Sequence, residues 1–199
     1  GFGSEAARGS KLSRIFRMMA ICGLSFLLSP SSAIAQNELF RTDLLIDAIT
    51  TNDYELANST LIKGHNPDPV DNYGRTPLII AAMAGNPDLV ELLAEHKAKL
   101  NRGDKAGGTA LHYAAARGHV DVVELLLDRG ARINIENRQG MTPLMMASSD
   151  GRIEILQILL ARKADAARSD YTGRTAMMWA QRNSRRNIVR LLRKAGIKE

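Results

Sequence analysis

Residues 104–119 read DKAGGTALHYAAARGH, and the key positions of this stretch recur along the chain at an interval of 33 residues. Glycine returns at Gly74, Gly107, Gly140 and Gly173. Threonine follows two residues after each glycine, and an acidic or amide residue precedes each by three, as Asp71, Asp104, Asn137 and Asp170. A fixed period of this length predicts one supersecondary unit that is copied and stacked, and such stacks build long surfaces more readily than catalytic pockets.

Each unit is predicted to consist of a turn, a helix, a second turn and a second helix. The Asp or Asn side chain folds onto nearby backbone, glycine supplies a positive φ, and threonine caps the first helix. Small residues recur inside that helix, at Ala81, Ala114, Ala147 and Ala180. The positions that close it hold Gly85, Gly118, Gly151 and, in the last unit, Ser184. The second helix repeats apolar residues at Leu93, Leu126, Leu159 and Leu192, which predicts a buried face.

The segment TALHYAAARGH, Thr109–His119, is similar to the signature of the ankyrin repeat family, and the resemblance covers roughly residues 40–199. It implies an all-α solenoid of about five helix-turn-helix repeats with projecting hairpin-like loops. We expect the repeats at about 39–71, 72–104, 105–137, 138–170 and 171–199. Some residues depart from the pattern. Met145 replaces the signature histidine, and Lys97 and Lys163 replace the glycine that closes the second helix, which predicts left-handed lysines at a cost on the order of 1 kcal/mol each.

The first and last repeats are expected to be caps, because one face of each meets water instead of a neighbour. The first repeat lacks the Gly-x-Thr turn, and Asn52 stands at the position of Gly85. Its polar face is expected to hold Asp43, Asp47, Thr50, Asn52, Asp53 and Glu55. The last repeat carries a basic counterpart at Arg182, Arg185, Arg186, Arg190, Arg193 and Lys194.

Residues 1–35 have the order of a secretory signal peptide. Lys11, Arg14 and Arg17 precede an uncharged run at 18–28, and Ala33–Ile34–Ala35 stands ahead of Gln36. We expect cleavage near Ala35–Gln36, which leaves residues 36–199 as a periplasmic or secreted repeat domain. The uncharged run is too short for a helix that spans a bilayer. The alternative to a signal peptide is an amphipathic N-terminal anchor. Cleavage would remove Cys22, the single cysteine, and a cysteine-free domain of this size favours a bacterial periplasm over a eukaryotic secretory route.

Charge is distributed unevenly along the chain, whose formal net charge is +6. Residues 36–161 carry 12 basic and 17 acidic residues, a net charge of −5. Residues 162–199 carry 11 basic and 3 acidic residues, a net charge of +8. The sequence therefore predicts an electrostatic dipole along the stack.

No constellation of residues indicates catalysis, a metal or a cofactor. The four histidines, at His65, His96, His112 and His119, do not have the spacing of a zinc site, and the glycines do not form a phosphate loop. Since His112 lies in the family signature, the resemblance implies that it holds the turns together by hydrogen bonds to backbone or to the cap threonine. We interpret Trp179 as packing in a large-residue position shared with Ile80, Tyr113 and Met146. Most of the helix methionines are interpreted as packing as well, at Met83, Met145, Met146, Met177 and Met178.

The resemblance implies a non-catalytic scaffold for protein–protein interaction, which the signal peptide places outside the cytoplasm. Binding is expected on a concave surface formed by the loops and the first helices, with no small-molecule substrate. The family's variable, outward positions correspond to Tyr73, Arg75, Met83, Lys105, Arg117, Arg138, Met141, Asp150, Tyr171, Arg174 and Arg182. The competing interpretation of any one of them is a solvated loop residue.

A second hypothesis comes from the basic segment Arg162–Lys198. It predicts an electrostatic adaptor for an anionic surface, either membrane phospholipid or nucleic acid. The contact would use Arg185, Arg186, Arg190 and Arg193. The competing interpretation of this segment is a solubilising cap.

Overall fold

The computed structural model of the protein describes residues 43–197, which form ten helices arranged as five successive pairs. The pairs are α1 (Leu44–Thr50) with α2 (Tyr54–Ile62), α3 (Pro77–Ala84) with α4 (Pro87–Glu95), α5 (Ala110–Arg117) with α6 (Val120–Asp128), α7 (Pro143–Asp150) with α8 (Ile153–Ala161), and α9 (Ala176–Arg182) with α10 (Arg186–Lys194). Within that range the only strand-type pairing is a single antiparallel bridge between Ser169 and Thr175.

The helices stack in two layers. Each first helix packs on the first helix of the next pair, from α1 on α3 to α7 on α9, and each second helix packs on the next second helix. This packing confirms the predicted all-α repeat solenoid. The repeat boundaries remain a prediction, and the signal peptide lies outside the described residues.

Threonine begins four of the first helices, as predicted. The hydroxyls of Thr76, Thr142 and Thr175 each accept a hydrogen bond from the backbone N–H three residues later, at 3.3–3.4 Å. Thr109 forms a capping box with His112. Each of these bonds satisfies an N–H that the helix cannot satisfy itself, so the position of the threonine decides where the helix starts.

Left-handed residues end both kinds of helix. The first helices stop at Gly85, Gly118 and Gly151, with φ of 74°, 83° and 76°. Asn52 and Ser184 adopt the same conformation at the corresponding positions of the first and last repeats. Lys97 and Lys163 both have φ of 63°, which confirms the predicted left-handed lysines after α4 and α8.

A continuous core runs through the stack. The alanines predicted to allow close approach, from Ala81 to Ala180, are fully buried, and so are Leu93, Leu126, Leu159 and Leu192. Full burial of one leucine side chain stabilises a fold by roughly 1.5–3 kcal/mol. No helix within residues 43–197 has the length and apolar character needed to cross a membrane.

Polar contacts between successive repeats fix their positions along the stack. The side chains of Asp68, Asn101 and Asn134 each accept from a backbone N–H of the following repeat at 2.8–3.0 Å. On the other layer, Arg152 and Arg185 donate to the carbonyls of Ala116 and Ser149 at the end of the preceding first helix. Cations at a helix C-terminus also interact favourably with the helix dipole.

Candidate functional site

The loops before α3, α5, α7 and α9 share one construction. In the first, Asp71 Oδ1 accepts from the N–H groups of Tyr73 and Arg75 at 2.8 and 2.9 Å. The Asp71 N–H donates to the Arg75 carbonyl, and the Gly74 N–H donates to the Asp71 carbonyl. The same side-chain bonds recur at Asp104, Asn137 and Asp170. The predicted folding of this side chain onto the backbone is therefore confirmed, and each loop is a tight hairpin.

Backbone hydrogen bonds join the four loops into one row. Lys105 donates its N–H to the Tyr73 carbonyl at 3.1 Å, Arg138 to Ala106 at 3.0 Å, and Tyr171 to Gln139 at 3.1 Å. A side chain on Gly107 would lie 2.7 Å from the Arg138 nitrogen, so glycine is needed both for its φ of 78° and for this close approach. We call this row, with the exposed side of the first helices, the loop surface.

Two tyrosines are the most exposed large apolar side chains of the loop surface. Tyr73 is 67% exposed and Tyr171 is 72% exposed. Lys105 and Arg138 are exposed in the two loops between them. The Tyr171 ring covers Gly140 of the preceding loop, where a Cβ would lie 2.6 Å from the ring. The structure therefore places four of the predicted contact residues along a single row.

Most of the predicted arginine and lysine contacts already have partners within the chain. Arg75 forms an ion pair with Asp71 at 2.7 Å and lies over the Tyr73 ring. Lys105 Nζ donates to the Asn72 carbonyl, and Arg117 donates to the Met83 carbonyl. Arg174 donates to the Thr172 hydroxyl at 2.7 Å. These four side chains hold loops and repeats together, so each has a structural role whether or not it also contacts a partner.

Trp179 belongs to the loop surface. It is half-buried, and the guanidinium groups of Arg174 and Arg182 lie 5.5 and 5.4 Å from its ring centroid. Its indole N–H donates to Asp170 Oδ2 at 3.0 Å, and Tyr113 donates from the same repeat position to Asp104 Oδ2. The interpretation of Trp179 as packing missed its stack with two arginines. Only its position in the repeat, between Arg174 of the loop and Arg182 at the end of α9, could have indicated that stack.

The carboxyl groups of Asp71 and Asp170 are held in their charged form, since the pKa of each is lowered. Burial alone would raise the pKa of the Asp170 carboxyl, but hydrogen bonds from Thr172, Arg174 and Trp179 outweigh it and keep that pKa below its ordinary value. Burial would also raise the pKa of the Asp71 carboxyl, but hydrogen bonds from Arg75 and Tyr73 outweigh it and keep that pKa below its ordinary value. In contrast, burial and the hydrogen bond to Asp104 raise the pKa of Tyr113 to about 12. The loops therefore keep these two negative charges internally bonded, while Tyr73, Arg138 and Tyr171 remain exposed.

Two predicted contact residues do not project from this surface. Met83 and Met141 were expected at outward positions, but both are half-buried and pack against the core. Asp150 and Arg182 are exposed at the ends of α7 and α9. Among the other methionines, Met145 and Met177 are fully buried, whereas Met178 is 38% exposed.

His112 connects two repeats, as the resemblance implied. Its Nδ1 lies 2.9 Å from the Thr109 hydroxyl and accepts from the Thr109 N–H, while its Nε2 lies 2.9 Å from the Met141 carbonyl. Burial lowers the pKa of this imidazole, although the Met141 and Ile135 carbonyls oppose the effect. The ring is therefore neutral, with Nδ1 as acceptor and Nε2–H as donor. Among residues 43–197 no group of three or more His, Cys, Asp and Glu side chains is arranged to hold a metal ion.

Comparison with known families agrees with this construction. The family model described as ankyrin repeats (3 copies) matches residues 45–137 and, in a second match, residues 129–199. The chain belongs to the ankyrin repeat family. Ankyrin repeats generally mediate protein–protein interaction, and the family is typically a non-enzymatic scaffold. The search of curated proteins found no match to this ankyrin repeat chain.

Proposed function

We propose that this ankyrin repeat protein is a non-catalytic scaffold that acts outside the cytoplasm and binds a folded protein through the loop surface. The observation that supports the proposal most directly is the hydrogen-bonded row of loops, which carries Tyr73 and Tyr171 with 67% and 72% of their surface exposed. Because the loops are fixed to one another, little conformational entropy is lost when a partner binds.

Aromatic and arginine side chains suit such an interface. Tyrosine offers a wide contact area with few rotatable bonds, and arginine forms planar bidentate hydrogen bonds. Truncation of a central anchor of this kind commonly costs about 2 kcal/mol or more, which is roughly thirtyfold in affinity. Tyr73, Arg138 and Tyr171 are the strongest candidates, because all three are exposed on the row of loops.

The test is the affinity of single alanine variants at these three positions for the protein captured by pull-down from the native envelope. Glu124→Ala is the matched control, since Glu124 is exposed on α6, away from the loops. Glu91 is unsuitable as a second control because it forms an ion pair with Arg129. Circular dichroism verifies that each variant is folded. Equal losses in the control and in all three loop variants would place the interface elsewhere.

Export is the second part of the proposal. The order of basic, apolar and small residues in 1–35 supports removal of a signal peptide, with the mature chain beginning near Gln36. The intact mass of the protein recovered from its native compartment tests this proposal. A mass that includes Cys22 would exclude cleavage at this site and favour an N-terminal anchor.

The basic end of the array supports a second candidate function, electrostatic contact with an anionic membrane or a nucleic acid. Arg185, Arg186 and Arg190 are exposed on the last repeat, and Arg193 lies near them. Binding of this kind falls steeply with salt, because exposed charges are screened within about 10 Å at moderate ionic strength. The test is binding to anionic vesicles and to single-stranded DNA at low and high salt, with the four arginines replaced by glutamine as the comparison. Absence of binding at low salt would remove this candidate.

A further inference from the structure

In the interior repeats, the following repeat packs against one face of each helix pair. The same face of the last repeat forms an open groove. At one position of the second helix, Val90, Val123 and Leu156 are fully buried by the following repeat, but their counterpart Val189 is only half-buried. The face encloses a groove of about 690 Å³. We call it the end groove, and its lining is Ala180, Gln181, Ser184, Arg185, Arg186, Val189, Arg190, Arg193 and Lys194.

The end groove combines an apolar floor with a basic rim. Val189 is half-buried in this floor and keeps the aliphatic character that the same position has in the interior repeats, while Ala180, which also lines the groove, is fully buried. Around them stand five cationic side chains, and no acidic residue lines the groove within the described part of the chain. A following repeat of the interior type does not match this face, since Arg186 and Arg193 occupy the positions of Ile153 and Leu160.

The interior junctions show which charge belongs opposite these positions. Glu91 of α4 forms an ion pair with Arg129 of the next repeat. Asp128 of α6 forms one with Arg162, at 2.8 Å. Arg190 and Lys194 occupy the positions of Glu91 and Asp128 on α10. These two positions are therefore basic at the end groove and acidic at the interior junctions. A segment that docks in the end groove needs carboxylates where the interior repeats have arginine.

A second copy of the chain that continues the stack in register does not place carboxylates at those positions. If its first repeat continued the stack in register, Lys63 would stand where Arg129 and Arg162 stand in the interior. Lys63 would then face Arg190 and Lys194, and like charges in such positions repel. Lys63 is exposed after α2.

We propose that the end groove is a second docking site, separate from the loop surface, that binds an acidic amphipathic helix of a partner protein. A helix is the shape that fills this face at each interior junction, where α6 packs on α4 and α8 on α6. Its apolar side contacts Val189, and its carboxylates face Arg190 and Lys194. A flat bilayer or a nucleic acid backbone would satisfy the cations but would leave the apolar floor uncovered.

The test uses fluorescence anisotropy with a synthetic helical peptide of about 20 residues, long enough to be helical in water, that has leucine on one face and glutamate along both edges. The purified chain should bind it, and should bind a scrambled peptide of the same composition at least tenfold more weakly. Arg190→Glu with Lys194→Glu should lower the affinity by roughly tenfold, about 1.4 kcal/mol. Val189→Asp should lower it as well, because it places a charge on the apolar floor.

The matched control is Lys99→Glu with Arg132→Glu, which changes the net charge equally at two exposed residues outside both surfaces. It should leave the peptide affinity unchanged. Thermal unfolding of each variant separates lost binding from a damaged last repeat. Equal binding of the scrambled peptide, or an equal loss in the control, would overturn the proposal. So would tighter binding of phosphatidylserine vesicles or single-stranded DNA than of the peptide, with the same dependence on Arg190 and Lys194.

Discussion

The interior repeats and the last repeat place similar residues in different environments. At one position of the first helix, Ile79, His112 and Met145 are at most 1% exposed, whereas Met178 is 38% exposed. At the position that follows Ala81 and its counterparts, Ala82, Ala115 and Ser148 are fully buried, but Gln181 is exposed. The difference shows that much of the burial in this array comes from the following repeat and not from the helix pair itself. Damage to an interior residue should therefore disturb two interfaces, and damage at the end should disturb one.

The largest expected effect is a cavity at an interior junction. Leu126 is fully buried in α6, so Leu126→Ala should lower the free energy of unfolding by about 2–5 kcal/mol. Val189→Ala at the half-buried end should cost about 1 kcal/mol or less, because fewer contacts are lost. Chemical denaturation measures both variants. Equal losses would mean that interior and end positions do not differ as the burial indicates.

Glycines that are covered by the next repeat should be less replaceable than uncovered ones. A Cβ on Gly85 would lie 2.5 Å from the His119 ring, whereas a Cβ on Gly130 would meet nothing within 4 Å. Both residues have positive φ, of 74° and 91°. Gly85→Ala should therefore cost about 2 kcal/mol and Gly130→Ala about 1 kcal/mol in urea denaturation. Equal losses would mean that the His119 ring moves aside without a measurable cost.

The His112 network should make interior stability depend on pH. Burial lowers the pKa of folded His112 below its ordinary value of 6.5, so the unfolded chain binds a proton that the folded chain resists. Stability should be complete above pH 6.5 and fall as the pH decreases towards the folded pKa, by at most about 1.4 kcal/mol per pH unit.

The comparison for this prediction is His112→Met, which copies the residue of the next repeat, Met145. Urea denaturation of both proteins between pH 7.5 and pH 5.5 (about one unit either side of the ordinary value) isolates the contribution of this residue. The variant is expected to lose less stability than the original protein over that interval. Parallel pH profiles would show that His112 is not the group responsible.

The smallest expected effect concerns the left-handed lysines. Lys97 and Lys163 have φ of 63° at the position that Gly64 and Gly130 hold in other repeats. Lys97→Gly and Lys163→Gly should each stabilise the protein by up to about 1 kcal/mol, because relief of strain exceeds the added flexibility of the unfolded chain. A higher denaturation midpoint for each variant checks the prediction. Destabilisation of both would show that the lysine side chains contribute contacts that outweigh the strain.

Residue types and their spacing predicted the local part of the candidate site. The hydrogen bonds of Asp71 and its counterparts and the threonine caps lie within a few residues of the motif. The role of His112, which reaches into the next repeat, was implied by the family resemblance. The partners of the loop cations could not be predicted in the same way. Arg117 bonds to Met83 and Trp179 lies between Arg174 and Arg182, and these contacts depend on how closely two repeats approach.

The sequence by itself determined the number of repeats, the two helices of each repeat and the residues that begin and end them, because caps, glycine turns and apolar spacing are local effects repeated every 33 residues. Only the tertiary structure decided which side chains remain available. Met83 and Met141 pack inward, and Arg75 and Lys105 are tied to loops. It also decided that the end groove is apolar beneath its cations. The physical reason is that burial and charge pairing arise between stacked repeats, and depend on the distance and orientation of side chains that are far apart in the chain.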